Sequence, residues 1–422
     1  MKQHFNKAFT ITASIIGALI IGVSGDRISN LLFGTEDTEK QTVQKTEVLA
    51  KNSRIDNQVL KRIELMVQSI NSNNEVAANN LPSCNQNSQK SKCNGTIDNN
   101  FILYVGEILN NLANGAGLMT FKYSKSTRAG AFKEGLSSGY AIEQNELGKV
   151  LYAGEWKNDL YHGEGALYGY NPNTSYIGQF KNGLQHGIGK SIGPEGSISE
   201  GEWHKNQLHG YGSFFFPNGE GYVGNYLHGQ KHGSGFYKFQ ASDTYKGNFK
   251  NDLIHGYGEY TFANGEISIG NFRLGQKHGK NKTVYSNKKS TECDNYYYGL
   301  MNGECITRYT ATYYVIENYV KGLKQGISIT QRAMQKETGN YKDNLLHGEK
   351  ILEYSLLGDI EVQNYSNGIL EGQTTYTFAS GIVQITNYKD GRKHGDFTIS
   401  YVDGNKMTCE YDKGEQLGCV ME

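Results

Sequence analysis

A glycine returns about every 23 residues through most of this 422-residue chain, and that period constrains the fold more than any single motif does. Aligned on the glycine of a recurrent His-Gly pair, it stands at Gly163, Gly187, Gly210, Gly233, Gly256 and Gly279, in steps of 24, 23, 23, 23 and 23. The ladder extends back to Gly139 and Gly115. It extends forward to Gly303, Gly326, Gly348, Gly372, Gly395 and Gly418, making fourteen units with steps of 22 to 24. A unit this short cannot bury a core alone and must lean on its neighbours.

The sharpest unit, YKGNFKNDLIHGYGEYTFANGE from Tyr245, has two alternating segments around a polar Asn-Asp connection, which is a β-hairpin pattern. Side chains alternate along a strand, so Tyr245, Gly247 and Phe249 share one face of the first strand. Gly256, Gly258, Tyr260 and Phe262 share one face of the second. The expected packing lays each ring over bare glycine backbone, where a Cβ would collide. The same positions recur as Tyr152, Gly154, Trp156, His162 and Gly163, and as Tyr176, Gly178, Phe180, His186 and Gly187. They recur again as Trp203, His209 and Gly210, as Tyr222, Gly224, His232 and Gly233, and as His255 and Gly256 in the unit from Tyr245. Composition agrees: 53 Gly and 30 Tyr with 37% hydrophobic residues suit a thin, repeated sheet better than a thick core. The predicted fold is all-β, an elongated single-layer array of about fourteen stacked hairpins. With about 28 strands at roughly 4.8 Å each, it would form a ribbon on the order of 130 Å long.

The pattern Y-x-G-x-[WFY]-x-N-x-x-x-H-G-x-G from Tyr152 and Tyr245 resembles the MORN (membrane occupation and recognition nexus) repeat. Repeats span 101–280, near-consensus from 152, and continue as variants over 281–422. After Lys280 the unit becomes N-Y-x-x-G-x-x-x-G, as in NYVKGLKQG from Asn318, NYSNGILEG from Asn364 and NYKDGRKHG from Asn387. This half resembles the bacterial variant repeats of antitoxin-like proteins. The units at Tyr104 and near Ala129 lack the histidine, as capping repeats do. The resemblance implies a hairpin array that serves as a protein-interaction or membrane-associating module.

Ahead of the repeats, Lys2 and Lys7 (a 1–7 n-region) precede the uncharged stretch 8–25, AFTITASIIGALIIGVSG. Its length is near the lower limit for a membrane-spanning helix, about 17–25 residues. It reads as a signal anchor, or as a signal peptide cleaved after Val23-Ser24-Gly25. Either reading places the repeats outside the cytoplasm, in the periplasm if the cell is Gram-negative; cleavage would leave a secreted or periplasmic protein. Residues 26–100 read as a polar linker. Within it Ile55, Val59, Ile63, Met66 and Ile70 mark one face of a short amphipathic helix, and 71–100 is Asn- and Ser-rich.

Eight of eleven histidines occupy the His-Gly step, with His278, His347 and His394 completing the set above. Equivalent positions in adjacent hairpins lie roughly 10 Å apart, too far to share a metal at about 2 Å per ligand. The histidines are therefore expected to position turns through local hydrogen bonds. The six cysteines form three local pairs, Cys84/Cys93, Cys293/Cys305 and Cys409/Cys419, with the even count expected of disulfides in an exported domain. With the His-Gly glycine numbered 12, Cys293 and Cys305 fall at positions 2 and 14, Cys409 and Cys419 at 3 and 13. Both pairs sum to 16, whereas the glycine and aromatic faces pair at 17. The cysteines thus stand one residue off direct opposition, and a β-bulge is expected to reconcile them.

No nucleophile elbow, zinc-protease motif or P-loop occurs, so no catalytic, cofactor-binding or metal residue is assigned. Net charge is zero, with 42 basic and 42 acidic residues, and gives no footprint for nucleic acid. The expected function is a non-catalytic, membrane-tethered, exported scaffold that binds a protein or an envelope component. Alternatives are an antitoxin-like protein that binds a specific toxin and, more remotely, an enzyme acting on envelope glycans. The aromatic-and-glycine face is either a groove for an extended peptide or glycan, or the core of a thin sheet. A free terminal strand would allow homo-oligomers by strand addition.

Overall fold

The computed structural model describes residue 61 and residues 83–84, 91–169 and 173–422. The hydrophobic stretch 8–25 and the helix-face positions Ile55, Val59, Ile63, Met66 and Ile70 lie outside them. The described residues form 31 β-strands, from Cys93–Asp98 to Glu415–Met421, and the fold is all-β. Two compact units divide the chain, 1–232 and 233–422.

In the first unit each strand from Cys93–Asp98 to Gly221–Leu227 pairs antiparallel with the next in sequence. In the second, the same meander runs from Gly233 to Met421. One class of connection is a two-residue turn with both central residues at positive φ, such as Asn158 (52°) and Asp159 (62°), or Asn251 (50°) and Asp252 (68°). This turn twists with the flanking strands, which is why Asn-Asp and Asn-Gly recur there. The alternate connection is a five-residue loop. In Phe262–Glu266 the Phe262 N–H donates to Glu266 O at 2.8 Å, and Gly265 turns at φ 83°.

Two expectations change. The array starts inside the stretch read as linker, because Cys93–Asp98 pairs with Ile102–Leu109 in full register. That strand is fixed by the Cys84–Cys93 disulfide and by the Cys84 N–H, which donates to Asn94 O at 2.9 Å. Its polar CNGTID sequence hid it from a hydrophobic-pattern reading. The His-Gly step is also not regular strand. In the hairpin Thr244–Lys250/Leu253–Thr261, Gly247 faces Gly258 and Phe249 faces Ile254. Asn248 therefore stands opposite three residues, His255, Gly256 and Tyr257: a wide mid-strand bulge with Gly256 at φ 69°. Gly163, Gly187, Gly210 and Gly233 are likewise at φ 58°, 61°, 94° and 63°. Any other residue would be strained there, so the period of the sequence is the period of this bulge.

Candidate functional site

The ring at the head of each near-consensus unit is the core. Tyr152, Tyr176, Tyr222 and Tyr245 are fully buried. Their hydroxyls donate to the carbonyls of Glu155 (2.9 Å), Gln179 (3.1 Å), Asn225 (3.0 Å) and Asn248 (3.2 Å), each three residues on. The rings lie on glycine pairs as expected. A Cβ on Gly165, Gly189 or Gly258 would come within 2.2–2.3 Å of the tyrosine oxygen. On Gly154, Gly178 or Gly247 it would meet the facing glycine's Cα at 2.5–2.6 Å. Gly224 faces Gly212 of the preceding hairpin.

Three of these tyrosines also bridge two hairpins. Tyr152 meets Trp156 edge-on at 5.2 Å and Phe180 of the next hairpin at 5.4 Å. Tyr176 lies between Phe180 (5.0 Å) and Trp203 (5.3 Å), and Tyr245 between Phe249 (5.2 Å) and Phe272 (5.6 Å). Burial pushes the Tyr245 phenol up to about 12 and pushes those of Tyr104, Tyr152 and Tyr176 up as well. A free phenol ionises near pH 10. The folded state therefore holds its proton more tightly, and stability is full below pH 10 and falls as pH rises through about 12. In an ultraviolet alkaline titration these tyrosines should ionise together with unfolding, well after the exposed ones. One smooth transition near pH 10 would contradict the packing.

The residue opposite the bulge, which the motif reading passed over, ties its loose backbone. Glu155, Gln179 and Glu202 each accept a backbone N–H through a side-chain oxygen, from Glu164 (3.3 Å), Ile188 (3.2 Å) and Tyr211 (3.2 Å). Where the position is asparagine it instead donates, as Asn248 does to Tyr257 O (3.3 Å) and, in the variant units, Asn318, Asn364 and Asn387 do to the carbonyls of Ile327 (3.0 Å), Gln373 (2.6 Å) and Asp396 (2.8 Å). That explains the asparagine of N-Y-x-x-G.

The histidines depart from expectation. Nδ1 of His162, His232, His255, His278 and His347 is enclosed and makes no hydrogen bond. Only His209, whose Nδ1 accepts from the His228 N–H (3.4 Å), and His394, 3.1 Å from Asp412, show the local bonding foreseen. His186 instead stands beside His204, ring centres 5.0 Å apart.

All three cysteine pairs are disulfides. Cys293 faces Cys305 directly and Cys409 faces Cys419 directly, and in each hairpin a register shift between the turn and the cysteines is the bulge that brings them opposite. The offset of one reflects bulge size. Across the bulge the near-consensus hairpin sets one residue against three, Asn248 against His255–Tyr257. The first cysteine hairpin sets Asp294-Asn295 against Asn302-Gly303-Glu304, and the second sets Glu410 against Leu417-Gly418. An excess of two residues has become one, by a longer first strand in one case and a shorter second strand in the other. Cys293 pairs with Asn281 of the preceding strand just as Gly270 pairs with Gly258, so the disulfide takes the place of the facing glycines. Thr291 takes the place of the tyrosine, 3.0 Å from Thr307. The disulfide packs with Tyr296 and Tyr319. A sulfur bridge fills the space of a ring.

Asn281 is a third solution. It replaces a glycine in the unit where Ser268 replaces the tyrosine, and its amide donates to Asn271 O at 2.8 Å, the carbonyl equivalent to the tyrosine's acceptor.

With the aromatic face consumed as core, the outward features lie elsewhere. A cavity of about 460 Å³ opens in the first unit, walled by Phe121, Tyr161, Leu167 and Tyr168, with Glu143, Asn145, Ser124 and Ser126 at its margin. Arg128, at a tyrosine position, reaches into it. Its guanidinium donates to Glu143 (3.2 Å) and Asp159 (2.9 Å) and lies 4.2 Å from the centre of the Trp156 ring. Just past the tight turns a half-exposed leucine recurs: Leu112, Leu136, Leu160 and Leu184 in the first unit; Leu253, Leu300, Leu323 and Leu345 in the second.

The MORN repeat profile matches residues 104–122, 152–171, 176–198, 200–221, 222–244, 245–267, 269–287 and 364–383. The chain is a MORN-repeat protein. Such repeats are in general protein- or membrane-interaction modules rather than enzymes. No curated protein matches the sequence. Among solved structures, the TCP domain of SAS-4 in complex with a proline-rich motif of Ana2, from Drosophila melanogaster, is 15% identical. That alignment covers 37% of this chain and 85% of that one at a TM-score of 0.24. Apo AztD from Citrobacter koseri is 12% identical over 67% of this chain and 92% of that one, at a TM-score of 0.11. Likenesses this distant carry no argument.

Proposed function

We propose that the protein is a non-catalytic scaffold, exported and held at a membrane by residues 8–25, whose repeats bind a protein or envelope component. The carrying observation is the way the cysteines are used. The buried Cys293–Cys305 disulfide stands where the repeat otherwise places facing glycines under a ring, so a covalent bond made by oxidation occupies a core position. Disulfides with that role belong to oxidising compartments, in keeping with the apolar segment ahead of the repeats. The half-exposed leucines and the Arg128 cavity supply contact surface on a frame whose backbone and rings are already committed. In intact cells, protease added outside, after the outer membrane is opened where one exists, should digest the repeats, and alkaline washing should leave the full-length chain in the membrane fraction. Recovery of the repeats as a protected, soluble cytosolic protein would overturn the proposal.

A further inference from the structure

Four histidines of the first unit stand in one file. Ring centres are 5.0 Å apart for His186–His204, 5.7 Å for His204–His209 and 5.1 Å for His209–His228. His186 and His209 occupy the repeat's His-Gly position. His204 and His228 are additions that fall between, so the spacing that forbids shared ligation elsewhere in the array is shortened here. Among the described residues no three His, Cys, Asp or Glu side chains converge on one point. The chemistry in question is therefore that of a pair.

Two imidazoles that share a tetrahedral ion, with nitrogens about 2.0–2.1 Å from it, have ring centres roughly 5 Å apart. His186 and His204 meet that spacing, with rings inclined at 51°. His209 and His228 also meet it, but Nδ1 of His209 accepts the His228 backbone N–H at 3.4 Å. That bond keeps the proton on Nε2 and leaves the ring no free lone pair. Neither His186 nor His204 has a carboxylate in an ion pair with it among the described residues. His204 is exposed and His186 half-buried on the adjoining strand, so an ion has open access to a pair with one constrained member. Imidazole pairs select zinc, copper(II) or nickel(II) over calcium and magnesium, which prefer oxygen ligands.

We propose that His186 and His204 form a two-imidazole site for one divalent transition-metal ion, with water completing the coordination. Untagged full-length protein, stripped with chelator and with its disulfides intact, is titrated with zinc alone by calorimetry. One zinc per chain is expected. His204→Gln and His186→Gln should each weaken binding at least about 10-fold, while His228→Gln leaves it unchanged. Unaltered circular dichroism of the two former variants confirms that they fold. Absence of zinc binding in the wild type, undiminished binding in both variants, or an equal loss in His228→Gln would overturn the assignment.

Discussion

Tyr152→Ala should lower the stability of the surrounding repeats by about 3–5 kcal/mol, the range for truncating a buried aromatic side chain. The ring is fully buried, stacks on Tyr161 at 3.9 Å, and meets both Trp156 and Phe180 edge-on. Its removal opens a void between hairpins and leaves Gly154 and Gly165 uncovered. Tyr152→Phe separates the two contributions. It keeps the ring and loses only the hydroxyl's bond to Glu155 O, a cost of about 1 kcal/mol. Denaturant titration followed by Trp156 fluorescence measures both. Equal effects of the two substitutions would show that the packing has been misassigned.

The second large effect is expected at the sulfur-filled hairpin. Replacing Cys293 and Cys305 together by serine should cost about 3 kcal/mol, the entropy of a loop near this length; the two cysteines are 12 residues apart. The cysteines are 0% and 2% exposed, so the serine hydroxyls would also be buried. Thr291 is too small to cover the space. Thr291→Tyr combined with glycine at both cysteine positions should recover part of the loss, because Tyr296 and Tyr319 already flank the site. Urea titration with and without reductant checks this. If the triple variant recovers nothing, ring and disulfide are not equivalent fillers.

The repeat period, the hairpins and the ring-over-glycine contacts were legible because they depend on alternation and on the absence of a Cβ, both written residue by residue. The bulge was not. A two-residue excess in one strand leaves the same Tyr-x-Gly alternation on either side, so His255-Gly256 reads as regular strand until the pairing of Gly247 with Gly258 is seen. The cysteine register was read correctly as an offset of one, but its cause lay in bulge length, which sequence sums do not separate from misalignment. Arg128 at a tyrosine position, Asn281 at a glycine position and the insertion of His204 beside His186 depend on neighbours a hairpin away, and a single unit carries no sign of them. The first strand, Cys93–Asp98, was hidden by polar composition and held by a disulfide rather than by apolar burial alone.

The central claim is that one buried tyrosine locks its own hairpin to the next. Hydrogen exchange across wild type and Tyr152→Ala tests it most directly. Protection should fall in the strands Val150–Lys157 and Leu160–Tyr168 and in the adjoining Ser175–Lys181, which carries Phe180, while Cys93–Asp98 and the strands beyond Gly233 keep theirs. Loss confined to residues 150–168, with Ser175–Lys181 unaffected, would contradict the claim.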